Sequence, residues 1–134
     1  MISKLKSIFP YPRIIDILAA LICCSAFLVL QFLGMLRYHY FAFFDWDLAL
    51  YAQAMMSLTH GSPQVSLIGT NIFTNHSEFI ALLLVPIFKM FPHVLTLIAL
   101  KNLSWAGGGF VLYLIGRELK LKKSLSLVVM ILYL

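Results

Sequence analysis

From Ile14 to Met35 the chain carries an apolar stretch broken by Asp16 and Gln31. As a helix of about 22 residues it is about 33 Å long, enough to cross a hydrocarbon core of about 30 Å. The basic start before it resembles a signal peptide. The apolar core is too long for one, however, and no small-x-small cleavage site follows. The stretch therefore reads as an uncleaved first span, its start inside and its end outside. Asp16 stands one turn from Arg13, so an ion pair between them at the inner edge is the expectation.

Composition agrees with a membrane location. Hydrophobic residues make up 62% of the 134 and charged residues 11%, against about 25% charged in ordinary soluble domains. A small soluble domain needs polar groups over much of its surface, and five acidic side chains cannot supply them. The net charge of +5 is gathered in two places. Lys4, Lys6 and Arg13 open the chain, and Arg117, Lys120, Lys122 and Lys123 form a second group. Neither interleaves aromatics on a polar face, which argues against a nucleic-acid surface, and both fit the cytoplasmic side of a membrane. Cys23 and Cys24 are adjacent, cannot easily bridge each other, and match no metal-ligand spacing. Both are expected to be buried and inert, and Ile22 before them argues against a lipoprotein cleavage site.

Arg37 to Asp47 is dense in Tyr, Phe and Trp, the composition of an interfacial belt. Residues 47–60 then carry helix signals, with Asp47 as N-cap, Gly61 for the left-handed position after the end, and Pro63 as a stop. Leu48, Leu50, Tyr51, Ala54, Met55 and Leu58 share one face, while Gln53, Ser57 and His60 occupy another, which predicts an amphipathic helix lying on the membrane surface or packed under other spans. Ser62 to Thr74 reads as a loop. Asn75 and Glu78 form a capping-box pattern for a second interfacial helix over residues 77–91, whose apolar run Phe79–Phe91 is short for a span and contains Pro86. Pro92 stops it. Val94 to Gly116 is the second convincing span, interrupted by Lys101 and Asn102. Gly107, Gly108 and Gly109 within it would admit a kink or a closely approaching partner helix.

Residues 117–123 form the basic turn, and residues 124–134 begin a third apolar segment too short to cross as a helix. The expected fold is thus an all-α membrane protein with two full spans, a truncated third and an outer loop over residues 36–93 bearing two surface helices. Parity supports this topology, because two basic clusters on the cytoplasmic side require an even number of crossings between them. The chain is expected to be the amino-terminal piece of a longer multi-pass protein of the cell membrane, its N-terminus cytoplasmic.

Polar candidates for chemistry gather in the outer loop: Asp45, Asp47, His60, His76 and Glu78. Two acids beside a membrane can act as a general base and a second electrostatic or metal-binding group. A divalent metal held by the Asp and His pairs is conceivable, although the spacing matches no established ligand motif. Structural roles compete with these. Asp47 caps a helix, Glu78 completes a capping box, and His60 complements a helix C-terminus. Asp45 and His76 have no such ready role.

Asp47-Leu48-Ala49-Leu50-Tyr51-Ala52-Gln53, His60-Gly61, Asn75-His76-Ser77-Glu78, Pro86-Ile87-Phe88 and the Leu-Tyr-Leu-Ile-Gly-Arg run ending at Arg117 occur in a familiar order. That order resembles the amino-terminal part of the GT-C glycosyltransferase superfamily. Within it the chain is similar to a prokaryotic family of membrane proteins known as a domain of unknown function. Trp46, Ala49 and Phe79 depart from the family pattern, which usually has Phe, Gly and Pro there. The resemblance implies transfer of a sugar from a polyprenyl-phosphate donor on the outer membrane face. It implies Asp47 as the base that takes a proton from the acceptor hydroxyl, with Asp45 beside it. Arg37 or His76 would help hold the phosphate, and Glu78 belongs to the same loop positions. Such a piece alone would be inactive. A non-enzymatic interaction protein contacting partner helices at Gly107–Gly109 is the alternative, and a transporter piece with Lys101 and Asn102 lining a polar path is a third reading.

Overall fold

The protein is described by a computed structural model covering residues 14–43, 46–76 and 78–134. It is mostly helical, with α1 at Ile14–His39, α2 at Trp46–Thr59, α3 at Ile72–His76, α4 at Ile80–Met90, α5 at Val94–Glu118 and α6 at Lys123–Tyr133. Two of these, α1 with 26 residues and α5 with 25, are long and apolar enough to cross a membrane. Both begin where the sequence places them. Each runs past its expected end, α1 through Arg37 to His39 and α5 through Arg117 to Glu118, because amphipathic and charged side chains are as good helix formers as the apolar ones before them. The all-α expectation needs one amendment. Strands β1 (Gln64–Val65) and β2 (Thr70–Asn71) form an antiparallel hairpin, pairing Gln64 with Asn71 and Val65 with Thr70.

The chain divides into two compact units, one of Met1–Gln31 with Asn102–Leu134 and the other of Phe32–Lys101. In the first, Ala19, Cys23, Tyr113 and Met130 form a buried cluster. Small residues let α5 and α6 come close. A Cβ on Gly116 would fall 2.6 Å from Ser126 Oγ, and one on Gly108 would fall 2.8 Å from the Tyr133 hydroxyl. The expected open glycine contact is therefore corrected. Gly108 and Gly109 already face the end of α6, whereas a side chain on Gly107 would meet nothing within 4 Å.

Among the described residues, the buried polar side chains of this unit, Asn102 and Ser126, are both hydrogen-bonded. Asn102, 4% exposed, donates to Gln31 Oε1 at 3.1 Å. Asp16 accepts from the Tyr113 hydroxyl at 2.5 Å and from Lys123 Nζ at 2.5 Å, linking α1 to both α5 and α6. An ion pair was expected at Asp16. Its partner is the distant Lys123, and Arg13 lies outside the described residues. The cysteines also divide: Cys23 is buried against the Met130 sulfur at 3.4 Å, whereas Cys24 is exposed.

The second unit packs α2 against the hairpin and α4. Leu50 and Ala54 bury against Val65 and Ile72, and Met55 buries against Ala81 and Phe88. Leu58 packs on both clusters. The apolar face drawn from the sequence is thus the face that α2 buries. The helix closes as expected, with Gly61 at φ +77° and the Ser62 and Gly61 amides bonded to the carbonyls of Ser57 and Leu58 at 3.0 Å. This double closure satisfies two carbonyls that the helix leaves open. The same pattern ends α1 at Phe41 and α5 at Lys120, both held at positive φ without being glycine. At the start of α5, His93 Nδ1 accepts the Leu95 amide at 3.1 Å, so this imidazole caps the helix.

Candidate functional site

The sequence candidates that the structure describes lie in the second unit. Residue 47 belongs to the first turn of α2, because the helix starts at Trp46. Asp47 is therefore not the N-cap the sequence suggests. Within the first turn its carboxylate still meets the positive end of the helix dipole, an effect of about 0.3–1 kcal/mol. One turn on, the Tyr51 hydroxyl donates to Glu78 Oε1. This corrects the capping-box reading of Glu78. Helix α4 begins at Ile80, its cap position is Phe79, and no side chain caps it. Asn75 instead lies within α3, whose own start is capped by Asn71 Oδ1 accepting the Phe73 amide at 2.8 Å.

Two acids thus converge on one phenol. Burial, the hydrogen bond to Glu78 and the charges of Glu78 and Asp47 together push the Tyr51 hydroxyl up to about 12. It stays protonated at neutral pH and acts as a donor, never as a base. Its bond occupies one oxygen of Glu78. Asp47 stands exposed at the helix start, where a carboxylate can take a proton from an incoming hydroxyl.

The remaining candidates are placed less closely. Arg37 lies exposed on the last turn of α1, and the structure gives it no contact with Tyr51 among the described residues. His76 ends α3, with its side chain outside the described part, and Asp45 lies outside the described residues. His60 follows α2, its Nδ1 2.9 Å from the Met56 carbonyl, a contact that binds the ring to the helix end. Among the described residues no three His, Cys, Asp or Glu side chains are grouped to hold a metal ion.

Sequence reasoning missed Tyr51 and Gln53 as working polar groups. Gln53 Oε1 accepts the Leu67 amide at 3.0 Å, and its amide nitrogen donates to Ser66 Oγ. Gln53 therefore pins the tip of the hairpin onto α2, as Tyr51 pins the approach to α4. The spacing Asp47, Tyr51, Gln53 was the available signal: its first two members are one helical turn apart, and the third reaches the hairpin instead of solvent.

Two helices of spanning length and apolar character, joined by a region built from short helices and a hairpin, define a helical membrane protein. The family model described as "Predicted membrane protein (DUF2079)" matches residues 37–134, and the chain belongs to that family. No curated protein and no solved structure matches it.

Proposed function

We propose that α1 and α5 both cross the cell membrane, with the N-terminus in the cytoplasm and the region between them outside. We further propose that this outer region serves glycosyl transfer from a polyprenyl-phosphate-linked sugar. The observation that carries the reading is the gathering of Asp47 and Glu78 on Tyr51. In this scheme Asp47 removes the proton of the acceptor hydroxyl as its oxygen attacks the anomeric carbon. The bond to the lipid phosphate breaks, and the configuration inverts. Tyr51 holds Glu78 in place beside the base. Arg37 and His76 would contact the donor phosphate, as guanidinium and imidazole groups do.

The test is Asp47→Asn in a full-length member of the family, assayed in membrane vesicles charged with lipid-linked sugars. Loss of transfer with normal membrane insertion is the expected result. Transfer at the wild-type rate would remove Asp47 from the mechanism.

A further inference from the structure

Between the end of α4 and the start of α5 the chain has only Phe91, Pro92 and His93. The first amides of α5 have no partner within the helix, so this short connection must supply one. His93 does so. Its Nδ1 accepts the Leu95 amide at 3.1 Å, its carbonyl accepts the Thr96 amide at 2.9 Å, and its own amide donates to the Phe91 carbonyl at 2.8 Å. The Thr96 hydroxyl donates to that same carbonyl at 2.7 Å. On its other side the His93 ring meets the end of α1, edge-on to Tyr38 with centroids 5.4 Å apart and planes at 68°. One imidazole thus caps α5 and joins its start to the last turn of α1.

The usual cap residues are Ser, Thr, Asp and Asn, whose oxygens accept throughout the neutral range. An imidazole differs. To accept from an amide, Nδ1 must carry a lone pair, which leaves the ring proton on Nε2. The second proton of an imidazole, gained between about pH 8 and pH 5, occupies that lone pair and turns the acceptor into a donor. The Leu95 amide would then face another N–H, and the new cation would stand at the positive end of the α5 dipole.

The surroundings do little to offset this. Among the described residues the ring makes no ion pair with a carboxylate. Arg37 and His39 flank Tyr38 on α1, Lys89 lies in the last turn of α4, and Lys101 follows on α5. From α2, which lines a pocket together with Tyr38 and Val94, comes Asp47 in the first turn. The face of the Tyr38 ring can attract a cation, but that contact leaves the Leu95 amide unpartnered. We propose that His93 is an acid-sensitive clasp: neutral, it caps α5 against the end of α1; protonated, it releases the first turn of α5. The device is independent of whether the outer region serves glycosyl transfer.

The experiment is pulsed amide hydrogen exchange on the full chain in mild detergent at about pH 8 and about pH 5, the limits of imidazole titration. Rates are corrected for the intrinsic effect of pH and read at the Leu95 amide, with amides in the middle of α5 as internal reference. In the wild type, exchange at Leu95 should become several-fold faster at the lower pH relative to that reference. His93→Asn, whose side-chain oxygen accepts at both pH values, should abolish the change, and His93→Ala should exchange fast at both. Tyr38→Leu should keep the response, since the cap and not the ring contact carries it. Should His93→Ala lose its helical circular dichroism, wild type against His93→Asn decides the matter. Equal protection of wild type at the two pH values overturns the inference. So does an undiminished response in His93→Asn, or its disappearance in Tyr38→Leu.

Discussion

The two units solve the packing problem with different chemistry. Around Asp16, helices meet through bare glycines and a small number of strong polar links. Around Tyr51, the chain uses the devices of water-soluble proteins: an αL-closed helix, a hairpin, an asparagine cap and side chains bonded to backbone amides. Helices that are apolar all round gain little by burying one face against another in a bilayer, so their association rests on close approach and on polar pairs. Helix α2 instead buries Leu50 and Ala54 against the hairpin and Met55 against α4, and the polar contacts of Gln53 and Tyr51 fix which partners it meets.

The sharpest way to break the comparison is at Asp16. Lys123 is 15% exposed and Asp16 29%, so changing Asp16 to Leu leaves a largely buried ammonium without its carboxylate. Breaking a buried pair costs about 3–5 kcal/mol, and the residual exposure of this one places the expected loss near the lower figure. The double variant Asp16→Leu/Lys123→Met should recover most of it. A double-mutant cycle on reversible unfolding in detergent measures both, and a double-variant loss equal to the sum of the Asp16→Leu and Lys123→Met losses would show that the link is not coupled.

Next in size is the glycine contrast within α5. Gly116→Ala forces a methyl against Ser126 and should cost about 1–3 kcal/mol. Gly107→Ala meets nothing and should gain about 0.5–1 kcal/mol from helix propensity. Thermal midpoints moving in opposite directions confirm it.

In the second unit the expected effect appears at alkaline pH. The Tyr51 hydroxyl is raised from 10 to about 12, so its contribution to stability is complete below pH 10 and disappears as pH rises towards 12. Tyr51→Phe should be less stable than wild type at neutral pH and should lack this alkaline loss. Chemical unfolding of both proteins across that window provides the check. Parallel curves for the two would dissociate the loss from Tyr51.

The smallest effects are expected at the helix ends. Lys120 and Phe41 occupy left-handed conformations that cost an ordinary residue about 1–2 kcal/mol. Glycine at either position should stabilise the protein by up to about 1 kcal/mol, seen as a modest rise in thermal midpoint.

The long helices were legible because their signal is apolar length, and the buried face of α2 because its residues recur with helical spacing. The hairpin was hidden, since two-residue strands carry no alternation to detect. The roles of Glu78 and Asp16 were hidden for a different reason. Each had an attractive partner nearby in sequence, Asn75 or Arg13, while the structure pairs it with Tyr51 or with Tyr113 and Lys123. Sequence spacing ranks local partners first, and tertiary packing has no such preference. The convergence of Asp47 and Glu78 could be drawn only as membership of one loop, because the phenol between them reads as part of an apolar face.

The link between Asp16 and Lys123 also sets a timetable for biogenesis. The two residues are separated by 107 positions, and at about 5–20 residues per second Lys123 is synthesised roughly 5–20 seconds after Asp16. Asp16 is therefore made well before its ammonium partner exists, and until then its carboxylate depends on water for solvation. Final seating of α1 would be a late event, completed when the basic turn emerges and draws Asp16 into place.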